Sequence, residues 1–261
     1  MTLEIYSKFA EIYRSQKALS KPIKYETNEF EFPGRIEWLA YSFMYEEFTR
    51  ELTNTINQMH DYMNRLTAWD QIFGDLDDRQ KLAITFEFID PIATLLLNLP
   101  YVIRSRFVFA CAHLCHQANR AKGTSDWKDD FPLDNEVDFN QLDYYATGWT
   151  KYKRLKSKLE QISAWDYRER TFDFRNRYNH RFSPHIAYGY SSFVERKVNS
   201  AGLVTYSFGG VPPMEIRGVL EISREQHTRA IEALSLFREL VIEHSQLINK
   251  RLLEGPLTDE C

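Results

Sequence analysis

The chain has 261 residues, 43% hydrophobic and 27% charged, and a formal net charge of −4. These are ordinary globular proportions, and a chain of this length can bury a sizeable core as one large domain or as one domain with an insertion. They exclude a global basic field, so any site for a polyanion must be a local cluster of Lys and Arg.

Only 10 glycines and 9 prolines occur while aromatic residues reach 15%, which favours long helices over many-turned sheets. Cys111, Cys115 and Cys261 cannot form a disulfide framework for a chain this size, and "MTLEIYSKFAEIYRSQK" is too charged for a signal peptide. A reducing cytoplasm is therefore expected. The longest apolar run, "IATLLLNLPYVI", carries Asn98 and Pro100 and falls short of the roughly 20 residues of a membrane span. The expectation is a soluble chain with no membrane partner.

Residues 1–35 read as a loop-rich opening that closes with "EFPGR". Residues 36–68 follow without Pro or Gly, their apolar positions recurring every three or four residues, and predict a long helix. A second helix is expected over 77–99, kinked or divided by Pro91, and a third over 100–123, opened by Pro100 in its first turn and closed near Gly123. The acidic stretch 124–137 reads as a connecting loop. Residues 138–182 return to helix, with a break expected near "ISAW".

After Pro184 the pattern changes. Two β-prone runs flank "NSAG" between 192 and 208, a hairpin signal, and 209–219 continues as loop with room for one more strand. At Ser223 the stretch "SREQ" has capping-box spacing and introduces a last helix of about 28 residues. No internal repeat or linker is seen. The expected architecture is all-α: one helical-bundle domain over 1–261, with a small β-hairpin insertion at 185–219 before the last helix.

The chemistry gathers in "FRNRYNHRF", residues 174–182. On a continuous helix, Glu169, Asp173, Asn176 and His180 would form one polar column flanked by Arg175 and Asn179. Phe174, Tyr178 and Phe182 would lie on the other side and pack into the bundle. Charge on a long helix is ordinarily just its solvated face. Two asparagines beside an arginine and a histidine, however, sacrifice helix propensity for side-chain chemistry.

Arg175, Asn176 and His180 reproduce R-x4-H with a polar residue directly after the arginine. In this the chain resembles the HEPN superfamily, helical-bundle proteins many of which are metal-independent ribonucleases. The match covers about a dozen residues; the long N-terminal helices and the hairpin depart from a minimal family bundle. The resemblance implies catalytic roles for Arg175, Asn176 and His180, RNA as substrate, and no metal or cofactor. It also implies a toxin or antiviral-defence setting, with an antitoxin or regulatory protein as a further partner. Family members commonly pair as homodimers, with two motif helices, here 166–182, facing one cleft. The alternative is a non-catalytic member that binds RNA or a partner protein.

The assigned roles make chemical sense. Cutting RNA without metal needs a base for the 2′-hydroxyl, an acid for the leaving 5′-oxygen, and positive charge on the phosphate. Histidine as a residue type suits proton exchange, so His180 can take or give the proton; Arg175 offers a planar charged fork, and Asn176 could orient the imidazole or hydrogen-bond the scissile phosphate. One histidine cannot be acid and base at once, so a second copy is expected to supply the other group.

Other clusters carry less. Cys111, His113, Cys115 and His116 invite a zinc reading, but no second pair has ligand spacing, and buried cysteines are often plain core. No histidine has Glu three residues before it, which argues against a di-iron bundle. His185 is either a second imidazole near the site or a loop residue. "KYKRLKSK", 151–158, reads as a solvated helix face or a backbone-binding strip for single-stranded RNA. Tyr144, Tyr145 and Trp149 could stack bases but fit core positions better.

Overall fold

The computed structural model describes residues 3–19, 21–25, 36–123 and 127–254. They are mostly helical, with a two-stranded antiparallel sheet ahead of the last helix. This is the all-α architecture with a hairpin insertion that the sequence predicts. The chain divides into two compact units. The first takes residues up to 22, 58–100 and 163–227; the second takes 23–57, 101–162 and 228 onward.

The expected loop-rich opening is replaced by a helix, α1, Leu3–Leu19. Ile5, Phe9 and Tyr13 recur every four residues and so share one face, where Phe9 stacks on Trp69 at 4.2 Å between ring centroids. The charged residues between them mask this periodicity in the sequence. The loop end at "EFPGR" lies outside the described residues.

A 3₁₀ turn, Ile36–Trp38, opens α2, Leu39–Phe73, which extends past the expected end at 68. Then α3, Asp78–Ile84, starts with a reciprocal capping box between Asp77 and Gln80. One wider π turn, Thr85–Ile89, joins it to α4, Asp90–Asn119. Pro91 comes one residue after this turn, behind Asp90; it has no N–H to donate, and the altered geometry accommodates that loss. Pro100 does not open a third helix as expected but lies inside α4. The buried residues around it, Leu96, Leu97, Leu99 and Ile103, hold the helix continuous against its proline. Judged by length and hydropathy alone, Asp78–Lys122 could cross a membrane. Within it Ala93, Leu96, Leu97, Ile103 and Phe107 have no exposed surface.

The helix expected over 138–182 is four short ones: α5, Phe139–Ala146; α6, Tyr152–Gln161; α7, Trp165–Arg170; and α8, Phe174–His180. Left-handed backbone at Ser163, Phe172 and Asp173 separates the last three. The last helix, α9, Ile216–Glu254, begins seven residues before the expected cap at Ser223, which is itself buried. Ile216, Val219 and Leu220, buried at helical spacing, outweigh the weak propensity of Gly218.

In the second unit a polar cluster is sealed into the core. The Tyr41 hydroxyl pairs with His244 Nδ1 at 2.9 Å, and Cys115 Sγ lies 3.7 Å from His244 Nε2. Burial, reinforced by the Lys122 ammonium, lowers the His244 imidazole to about 3. Burial also pushes the thiols of Cys111 and Cys115 up, leaving them as neutral core residues.

Candidate functional site

The motif segment belongs to the first unit, and its foundations are buried hydrogen bonds. The Ser163 N–H donates to Gln226 Oε1 at 2.9 Å, and the Tyr167 hydroxyl donates to the Leu97 carbonyl of α4 at 2.6 Å. Arg170 grips both carboxylate oxygens of Glu225, at 2.9 and 2.7 Å, and reaches Glu221 at 3.2 Å. These contacts fix α7 against the first turns of α9.

Beyond α7 the chain turns sharply. Phe172 and Asp173 take φ of +54° and +51°, and α8 restarts in a new direction. The polar column is therefore not formed as expected: Glu169 lies on α7, on the far side of the turn from Asn176 and His180. Asp173 serves the turn itself, accepting a hydrogen bond from Asn176 Nδ2 at 2.8 Å.

On α8, Arg175, Asn176 and His180 are all exposed. His180 has no hydrogen bond or ion pair among the described residues. Phe174 is buried as predicted, but Tyr178 is 52% and Phe182 85% exposed, contrary to the expected packing. With only seven residues, α8 has room for one apolar anchor per face. Phe174 supplies it, and Tyr178 merely stacks on that ring at 5.8 Å. Arg177 donates to Ser192 Oγ at 3.2 Å. Neither Arg177 nor Arg181 has an acidic partner among the described residues.

A groove of about 660 Å³ that the sequence did not disclose runs along the other side of α8. Phe86 from the π turn, Asp90 at the start of α4, Tyr178 from α8, Arg181 just past its end, and His185 and Phe193 from the following loop line it. Its lining includes none of Arg175, Asn176 and His180; Tyr178 and His180 lie roughly 160° apart round the helix. Burial raises the Asp90 carboxyl, and nearby His185 works against that rise. His185 thus sits beside a carboxylate at the groove. The signal available in the sequence was "FEFID" before Pro91, an aromatic and acidic run at a helix irregularity.

The loop walls are set by backbone pairing. Ser191 and Val211 exchange hydrogen bonds of 3.0 and 2.7 Å, and the Met214 N–H donates to the His185 carbonyl at 2.8 Å. Gly210 leaves space for the Tyr190 ring, whose nearest carbon would stand 2.8 Å from a Cβ there.

Elsewhere the basic strip on α6 is tied to acids. Lys156 pairs with Asp143 and Lys158 with Glu232, each at 2.7 Å, and Arg154 with Glu239 at 3.2 Å. It is a paired helix face. Tyr145 and Trp149 are buried while Tyr144 is exposed. The histidines of the cysteine cluster diverge to separate acids: His113 lies 3.4 Å from Asp134 and His116 2.9 Å from Asp129. Among the described residues no three His, Cys, Asp or Glu side chains converge on a point where a metal ion could be held.

Compared with protein-family models, with curated proteins and with solved structures, the chain has no significant match.

Proposed function

We propose that the chain is a metal-independent endoribonuclease of the HEPN type, with Arg175, Asn176 and His180 as its working residues. One observation carries the reading: His180 stands in solvent on a short, well-anchored helix with no partner among the described residues, so nothing in the described fold depends on it. An imidazole in water beside arginine and asparagine is free to meet a substrate.

In the reaction an imidazole takes the proton of a ribose 2′-hydroxyl as that oxygen attacks the adjacent phosphorus. The Arg175 guanidinium meets the phosphate oxygens as they gain charge. Asn176, fixed by Asp173, offers its carbonyl oxygen to orient a neighbouring donor. The 5′-oxygen leaves with a proton from a second group, supplied in this reading by a second copy of the chain in a homodimer. The products are a 2′,3′-cyclic phosphate and a 5′-hydroxyl.

Incubation of an end-labelled RNA in EDTA tests the chemistry. Cleavage should leave those two termini and should stop when the substrate's 2′-hydroxyls are methylated. Cutting that requires Mg²⁺, or that leaves 5′-phosphate, would overturn the reading. A second reading, RNA binding without cleavage, is favoured by the turn at Phe172 and Asp173. It takes Glu169 out of line with His180 and leaves one imidazole on α8 as the motif's only candidate for proton transfer. Tight RNA binding with intact substrate would select it.

A further inference from the structure

The hairpin consists of β1, Val194–Val198, and β2, Val204–Phe208, and every residue of both strands is exposed. Each strand of such a ribbon has one open edge, which invites another strand unless charge, proline or a bulge blocks it. β1 carries Glu195, Arg196 and Lys197 in succession and is guarded. β2, "VTYSF", contains no charged residue, proline or glycine.

The direction of the peptide groups follows from the ladder. The Asn199 N–H donates to Leu203 at 2.9 Å and the Gly209 N–H to Phe193 at 3.0 Å. In an antiparallel pair, hydrogen-bonded and non-bonded positions alternate. Thr205 and Ser207, opposite Lys197 and Glu195, therefore point their peptide groups inward. Those of Val204, Tyr206 and Phe208 point out to the open edge. The same three side chains share one face with Val194 and Val198.

We propose that β2 pairs antiparallel with β2 of a second copy of this chain, about a two-fold axis at Tyr206, and joins the two hairpins into one four-stranded sheet. Val204 then faces the partner subunit's Phe208, Thr205 the partner subunit's Ser207, and Tyr206 the partner subunit's Tyr206. Apolar residues meet apolar ones, hydroxyl meets hydroxyl, and the outward N–H and C=O groups find each other in register. The sequence of β2 is self-complementary in this arrangement, as a two-fold contact requires. Pairing β1 with itself in the same way would set Arg196 against Arg196. An edge of 5 residues is small beside the roughly 1,000 Å² of a stable interface, so the dimer is reversible at micromolar concentration.

Sedimentation equilibrium of the full chain over micromolar concentrations tests this, with circular dichroism confirming that helix content is unchanged. The wild type and Tyr206→Phe should dimerise, whereas Tyr206→Lys should remain monomeric. Val204→Glu and Phe208→Lys should each weaken association by about tenfold. Combined in one chain they should restore it, because only this register sets one against the other across the axis. A monomeric wild type, a dimer that survives Tyr206→Lys, or a double variant no better than the single ones would overturn the proposal. RNA cleavage plays no part in the readout, so this inference and the ribonuclease reading fail separately.

Discussion

At the scale of single residues, exposure separates chemistry from architecture. Arg175 presents a guanidinium from a helix surface, and Arg175→Lys keeps charge but loses the two-pronged grip on phosphate. Its RNA cleavage rate should fall well below wild type while the thermal melting point stays in place; near-wild-type cleavage would reduce Arg175 to a point charge. His244 is the opposite case. Its imidazole titrates near 6.5 when unfolded and near 3 when buried, so between those values the unfolded chain binds a proton that the folded chain refuses. Stability from this group is complete above about 6.5 and drains away as pH falls toward 3, by up to about 1.4 kcal/mol per pH unit. Denaturant melts at stepped pH should show this slope in the wild type and a flatter one in His244→Gln; equal slopes would exonerate His244. Residue identities at the motif were legible in the sequence because R-x4-H needs no knowledge of packing. The exposure of Tyr178 and Phe182 was not, since it depends on where α8 begins and ends.

At the scale of elements, the turn between α7 and α8 decides what the motif can do. A helical wheel drawn through 166–182 assumes unbroken helix, and left-handed backbone at Phe172 and Asp173 leaves no strong sequence mark, having neither glycine nor proline. A bulky residue in that conformation costs about 1–2 kcal/mol, and Phe172 is half exposed, so it gives up little packing when removed. Phe172→Gly should therefore raise stability by up to about 1 kcal/mol in urea melts. A destabilised variant would show that the Phe172 ring holds the turn. Periodicity found the long helices and "NSAG" found the hairpin, because both are local signals. It missed α1, whose apolar face is diluted by charge, and it placed the start of α9 too late, because a good local cap at Ser223 lost to burial of Ile216 and Val219. Pro100 misled for the same reason: core packing of α4 overrides a residue that usually begins a helix.

At the scale of the whole molecule, the proposed reaction needs a second copy of the chain. One α8 carries one solvent-facing imidazole, and the reaction needs two proton transfers. A second copy would supply the other group by symmetry, so specific activity should rise with protein concentration across the micromolar range. Activity that is independent of concentration would place both groups in one chain. None of this assembly could be read from periodicity; the open edge of β2 appears only once its partner strand is known to be β1. Single-turnover cleavage of a labelled RNA in EDTA by wild type and by His180→Ala decides whether this imidazole takes part in the reaction. The variant should cleave on the order of 10²–10⁴-fold more slowly with unchanged folding, and equal rates in the two proteins would remove His180 from the mechanism.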